Sequence, residues 1–230
     1  MHIPDGFIDA GTSMAAGVVS AGCVGVALKK AADTMEERQA PLAGLVAAFV
    51  FAAQMLNFPI ALGTSGHLLG GVLATVLVGP WAGAICIALV LFVQGLFFAD
   101  GGLSALGLNV LNMAIVGGLG GYAAFVLVRA VLPKTRSMAV AASGIAAFLS
   151  VVMASMTFFA EYAIGGVGDV SLGGVFAAMV GIHALIGVGE AAITALTVSA
   201  VLAVRPDLVY GARDLLQPLE LRTADPVGGR

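Results

Sequence analysis

The residues of this chain that offer chemistry are few. There are three histidines, His2, His67 and His183, and one carboxylate deep in an apolar run, Glu190. His2 follows the first residue, and methionine is normally retained before a bulky second residue, so the free amine is expected on Met1. An amine followed by His presents three nitrogens in succession: the Met1 α-amino group, the deprotonated His2 amide and His2 Nδ1. They close a five-membered and a six-membered chelate ring and lie nearly in one plane. A fourth in-plane nitrogen completes a square-planar set that suits Ni(II), Cu(II) or low-spin Co(II) rather than Zn(II) or Mg(II). The plain alternative is that His2 is one exposed residue of a mobile terminus.

His67 follows Gly63-Thr64-Ser65-Gly66 and is read as opening a short helix over 67–79. A helix of that length covers about 20 Å, less than the roughly 30 Å hydrocarbon core. Its start therefore sits below the outer surface, where non-helical backbone is tolerated only if protein or a wet cavity satisfies it. Broken helices of this kind mark binding sites in transporters. Segment 1–10 reaches up to about 30 Å when extended, far enough for Met1 and His2 to fold down to His67. The alternative for His67 is a core histidine bonded to a neighbouring hydroxyl.

His183 and Glu190 share one face of a helix. They are read as a pair that locks helices together, as support for the far ring nitrogen of a ligand imidazole, or as a proton relay. Asn109, Asn112, Gln54, Asn57 and Gln94 are amides near span ends, with hydrogen bonding between helices as their default role. Asp100, in the outer loop Ala99-Asp100-Gly101-Gly102-Leu103, attracts cations at the mouth or faces water. His183, Glu190, Asn109, Asn112, Asp100 and Ser65 thus form the set of supporting or purely structural candidates around Met1, His2 and His67.

The elements that position these residues are membrane spans. Of 230 residues, 60% are hydrophobic and 10% charged, and the mean hydropathy is +1.07. A soluble domain carries about 25% charged residues, so this composition excludes a cytosolic enzyme, a secreted domain and a disordered chain. The net charge of −3 leaves no basic face for nucleic acid. Apolar runs at 11–28, 41–57, 67–79, 81–98, 110–131, 138–163 and 173–203 give seven spans. Lys29, Lys30 and Arg38 then fall in the loop after the first span. Arg129, Lys134 and Arg136 flank the turn after the fifth, and Arg205, Arg213, Arg222 and Arg230 lie in the tail. The opposite side carries Asp5, Asp9, Asp100, Glu161 and Asp169, which leaves Glu190 as the one carboxylate well inside a span. The positive-inside rule places the N-terminus outside and the C-terminus in the cytoplasm. The expected organisation is an all-α, polytopic bundle: a metal-chelating segment 1–10, a seven-span domain 11–204, and a polar, loosely ordered cytoplasmic tail 205–230.

Other chemistries lack their motifs. There is no Gly-x4-Gly-Lys-Ser/Thr phosphate loop, no His-Glu-x-x-His pair and no Gly-x-Ser-x-Gly elbow. Cys23 and Cys86 fall in apolar runs and read as small packing residues. The first ten residues have no basic region of the signal-peptide type. Small residues four apart, as in Gly17, Ala21 and Gly25, let helices approach closely, within the bundle or against another membrane subunit.

The opening Met1-His2-Ile3-Pro4-Asp5-Gly6-Phe7 resembles the start of the CbiM/NikM family, the substrate-binding S components of energy-coupling-factor transporters for cobalt and nickel. Gly63-Thr64-Ser65-Gly66-His67-Leu68-Leu69-Gly70 resembles the family's internal histidine motif. Ala99-Asp100-Gly101-Gly102, Leu106-Gly107-Leu108-Asn109 with Asn112-Met113, and Gly187-Val188-Gly189-Glu190 also match its pattern. The resemblance covers about residues 1–205. It implies seven spans with the N-terminal segment plugged into the bundle in a bacterial cell membrane. It also implies that the Met1 amine, the His2 amide and imidazole, and His67 ligate a transported Co(II) or Ni(II), with no permanently bound cofactor. The implied partners are a transmembrane T component, cytoplasmic ABC ATPases and a separate small accessory membrane protein. Cobalt-type members serve cobalamin biosynthesis and nickel-type members serve urease or hydrogenase; cobalt is the preferred expectation. A stand-alone proton-coupled transporter using Glu190 and His183 is the competing reading.

Overall fold

In the computed structural model, residues 1–35, 39–60 and 64–216 are described. Their helices, in chain order, are α1 (Ala10–Thr34), α2 (Ala40–Gln54), α3 (Gly71–Val78), α4 (Pro80–Phe98), α5 (Leu106–Val131), α6 (Arg136–Gly165) and α7 (Leu172–Val204). Two short strands, β1 (Phe58–Pro59) and β2 (Ser65–Gly66), pair antiparallel between α2 and α3. Among the described residues, α1, α4, α5, α6 and α7 are long and apolar enough to cross a membrane. Helix α2 is apolar but has 15 residues, and α3 has 8.

Local chemistry sets the helix ends. The Asp9 carboxylate accepts from Thr12 N at 2.9 Å and caps α1. Thr135 and Ser171 cap α6 and α7 in the same way. Pro41 and Pro80 sit in the first turns of α2 and α4, where a missing N–H costs nothing. Helix α3 is central, with every residue buried, and it packs on α4, α5 and α6. The outer faces of α1, α5 and α7 expose Val18, Leu127 and Leu185, the surface expected where lipid is the solvent. Both α5 and α7 contain a π-helical stretch, Leu111–Gly120 and Ala177–Gly181, a widening often found near functional sites.

The structure corrects three expectations. Helix α3 starts at Gly71, not at His67. Residues 67–70 stay non-helical because Glu190 takes the N–H groups of Leu69 and Gly70. Gly70 also adopts a left-handed φ of 72°, and a Cβ there would stand 2.9 Å from the Val50 methyl groups. Secondly, Glu161, expected among the carboxylates of the outer side, does not face water there: four residues from the end of α6 it is 6% exposed, a second buried acid beside Glu190. Thirdly, the tail is not loose where it is described. Turns at Pro206–Leu208 and Tyr210–Leu215 pack under the bundle, with Val209 and Ala212 buried. Arg129 holds Asp214 through both carboxylate oxygens, at 2.9 and 2.8 Å. Residues 217–230, with Arg222 and Arg230, lie outside the described residues, as do Arg38 and Gly63.

Candidate metal centre

The first residues turn inward. Met1, His2 and Ile3 are 0%, 3% and 0% exposed. The segment is tied at both ends by backbone pairing and by side chains from the spans. Ile3 N donates to Asn109 Oδ1 at 2.7 Å, and Asn109 Nδ2 donates to Ile3 O at 3.2 Å. Gly102 N also donates to Ile3 O, at 2.9 Å. Asp5 accepts from the backbone N and the hydroxyl of Ser104, which holds its carboxyl below the usual carboxylate range. Further along, Asp9 N donates to Gly165 O at 2.7 Å and Val167 N to Phe7 O at 3.0 Å. Phe7 stacks near Tyr162 and Phe158.

This anchoring carries Met1 to the non-helical stretch ahead of α3. The Met1 amine donates to Ser65 O and lies 2.9 Å from His67 Nε2. His67 Nδ1 is 2.7 Å from Leu68 O. A carbonyl accepts only from N–H, so Nδ1 carries the proton and Nε2 keeps its lone pair, directed at Met1. The His2 and His67 rings lie 4.7 Å apart, tilted by 35°. His2 Nε2 is 3.6 Å from an Asp100 carboxylate oxygen, and that oxygen accepts from Asn57 Nδ2 at 3.0 Å. Gly101, at a φ of 90°, leaves room for the His2 ring, since a Cβ there would stand 2.9 Å from Nδ1.

Burial sets the charge states at this end of the molecule. It holds the Met1 amine well below its usual value, with Asp100 pulling the other way. The His2 imidazole is lowered first by burial and then by the charge of the Met1 amine. Partial burial raises the Asp100 carboxyl, opposed by that amine and by Asn57. Neutral nitrogens with free lone pairs are what a metal ligand requires. Among the described residues, no group of three His, Cys, Asp or Glu side chains could hold a metal ion. Side chains alone therefore do not make a donor set here, and main-chain nitrogens would have to complete one.

The supporting residues divide by contact. Glu190 accepts from Leu69 N at 2.7 Å and Gly70 N at 2.9 Å, while Gln54 Nε2 donates to Leu69 O at 2.7 Å. Together they fix the stretch that presents His67. His183 does not bond Glu190; its Nδ1 lies 2.7 Å from Met179 O on its own helix. Asn112 Nδ2 donates to Glu161 at 2.7 Å and links α5 to α6. Ser65 contributes its carbonyl to Met1, and its buried hydroxyl has no partner among the described residues. Above the centre lies an open cleft of about 820 Å³, lined by His2, Asp5, Asn57, Ser65, Asp100 and Gly101. The Asn109 clamp on Ile3 and the Ser104 contact with Asp5 were not legible in the sequence, because each joins residues about a hundred positions apart.

The model of a family described as the cobalt uptake substrate-specific transmembrane region matches residues 2–208. The chain belongs to the CbiM family. It is similar to a fused nickel transport protein, NikMN, of Archaeoglobus fulgidus: 41% identical over 91% of this chain and 68% of that protein. It is also similar to a cobalt transport protein, CbiM, of Sorangium cellulosum, 44% identical over 39% of this chain and 40% of that one. A crystal structure of a truncated transition metal transporter superposes with a TM-score of 0.82 at 30% identity, over 88% of this chain and 99% of that one. This CbiM-family chain is thus a membrane component of cobalt or nickel transport, not an enzyme.

Proposed function

We propose that this chain is the metal-binding S component of an ATP-driven energy-coupling-factor importer for Co(II) or Ni(II). The metal is substrate and is held in a plane of four nitrogens: the Met1 amine, the His2 amide, His2 Nδ1 and His67 Nε2. The observation that carries this reading is the buried Met1 amine 2.9 Å from a His67 Nε2 whose partner nitrogen is already committed to a carbonyl. In this reading Asp100 and Asp5 line the approach, and segment 1–10 is a plug over a seven-span domain, 11–204. The N-terminus is outside and the tail, 205–230, is cytoplasmic. The one-sided distribution of the ten Lys and Arg residues supports that orientation.

With no phosphate loop in this sequence, ATP is hydrolysed by ABC ATPases coupled through a transmembrane T component, with a small accessory membrane protein alongside, in a bacterial cell membrane. Cobalt feeding cobalamin biosynthesis is the preferred cargo assignment, and nickel for urease or hydrogenase is the alternative. A proton relay through His183 and Glu190 has less support, because Glu190 is engaged by two backbone N–H groups and not by His183.

A histidine-free tag fused to Met1 keeps every side chain of the site but turns the free amine into an amide, which removes it as a ligand. Equilibrium dialysis of Co(II) and Ni(II) is expected to show loss of most affinity in this variant and in His67→Ala, with little change for a C-terminal tag. Wild-type affinity in the N-terminally tagged protein, with the tag shown by mass spectrometry to be uncleaved, overturns the site.

A further inference from the structure

His183 is fully buried, and its Nε2 has no hydrogen-bond partner among the described residues. An imidazole nitrogen left bare in an apolar interior is costly unless something else occupies it. The ring is fixed as the His67 ring is. In both, Nδ1 lies 2.7 Å from a backbone carbonyl, Met179 O in one case and Leu68 O in the other. That bond puts the proton on Nδ1 and leaves Nε2 as a lone-pair donor, the usual arrangement of a metal-bound histidine.

The register of α7 against the stretch 64–70 shows where His183 stands. Met179 Sδ receives the Thr64 hydroxyl at 3.6 Å. A Cβ on Gly66 would stand 3.0 Å from Ile186 Cδ1, and Glu190 accepts from Leu69 and Gly70. Positions 179, 183, 186 and 190 lie on one helix face, and that face runs alongside residues 64–70. His183 falls between Met179 and Ile186 and so stands opposite Ser65 and Gly66, whose neighbours are Met1 and His67. It is near enough to interact electrostatically with both the Met1 amine and the His67 ring.

We propose that His183 Nε2 is a further ligand of the transported metal, approaching the Met1–His2–His67 plane from α7 along its axis. The inference rests on the planar site described above and adds a fifth nitrogen to it. It also gives the site a means of discrimination. Low-spin Co(II), with seven d electrons, has a half-filled orbital along the axis and accepts a fifth donor. Planar Ni(II), with eight, has that orbital filled and resists one. His183 therefore favours Co(II).

Electron paramagnetic resonance of the full-length protein, loaded anaerobically with Co(II), tests this directly. The unpaired electron points along the axis, so one axial ¹⁴N splits each cobalt line into three. The expected result is that triplet in the wild-type protein, a doublet when histidine is labelled with ¹⁵N, and no axial nitrogen splitting in His183→Gln. Co(II) affinity is expected to fall more than Ni(II) affinity in the same variant. The labelling arm needs no substitution, so a variant that fails to fold leaves the test intact. A low-spin signal without axial nitrogen splitting in the wild-type protein overturns the role of His183 while leaving the planar site standing. A high-spin signal, or no Co(II) bound, overturns both.

Discussion

Replacing Glu190 by Gln tests whether the carboxylate acts through the backbone or on the metal. Its two oxygens accept from Leu69 N at 2.7 Å and Gly70 N at 2.9 Å, and the side chain is 1% exposed. Hydrogen bonds to a charged acceptor contribute about 1.5–3 kcal/mol each, and neutral ones about 0.5–1.5 kcal/mol. Glutamine keeps one carbonyl oxygen, so one bond survives in its neutral form. Its NH2 group faces the second N–H, donor against donor, and that bond is lost. The change costs about 2–4 kcal/mol locally. Gln54 still grips Leu69 O, so only part of that loss reaches His67. A share of about 2 kcal/mol corresponds to roughly 30-fold weaker metal binding. His67→Ala removes a donor nitrogen outright and is expected to lose more. Equilibrium dialysis of Co(II) and Ni(II), paired with a thermal melt of the metal-free protein, measures both quantities. Wild-type affinity in Glu190→Gln refutes the claim that these two bonds position the site. Loss as complete as in His67→Ala, with an unchanged melt, makes the carboxylate a ligand or an obligatory charge.

Asn109→Ala removes both bonds to Ile3 but leaves Gly102 N on the Ile3 carbonyl, so one buried N–H is orphaned at a cost of about 1–3 kcal/mol. Metal affinity is expected to fall about 5- to 150-fold. Proteolysis or hydrogen exchange at residues 1–9 should increase while the helical core holds; unchanged affinity would remove Asn109 from the docking of the N-terminal segment. For topology, a reporter fused after Arg230 is expected to be active only on the cytoplasmic side, and external activity there would reverse the orientation assigned from the basic residues.

The sequence carried the helical class and most helix limits because those are local properties. Apolar runs, first-turn prolines and the caps at Asp9, Thr135 and Ser171 all act within a few residues of where they stand. A helix start at His67 is what the local sequence suggests, and it fails because what opposes helix at 67–70 lies elsewhere. Glu190 sits more than a hundred residues away, and Val50, on another helix, crowds the Cα of Gly70. The tail differs from its local reading for the same kind of reason. Its polar composition reads as loose, yet Tyr210 packs against Gly79, and Arg129 on α5 holds Asp214. In the centre itself, the spacing of Met1 and His2 makes a chelate legible as an expectation, because ring size is fixed by covalent geometry. The meeting with His67 could only be judged by reach. The partner of Ile3 could not be read at all, since the sequence offers five amides near span ends and nothing local says which one reaches it.

The two segments that form the candidate centre, residues 1–3 and 64–70, are non-helical and largely buried among the spans. Backbone shielded from water must have its N–H and C=O groups met by protein. Side chains of the spans meet them: Asn109 takes Ile3 on both its N–H and its carbonyl, Glu190 takes the N–H groups of Leu69 and Gly70, and Gln54 takes the Leu69 carbonyl. The residues that make irregular backbone tolerable are thus also the ones that position Met1, His2 and His67. A change that loosens one segment is expected to weaken metal binding before it disturbs the helices, because those bonds are not part of any helix's own hydrogen-bond ladder. What the scaffold leaves without a protein partner is equally selective. His183 Nε2 has no hydrogen-bond partner among the described residues, and the His67 Nε2 lone pair meets only the Met1 amine. A fold that satisfies the peptide groups around these nitrogens while leaving the nitrogens themselves open is what the proposed metal site requires.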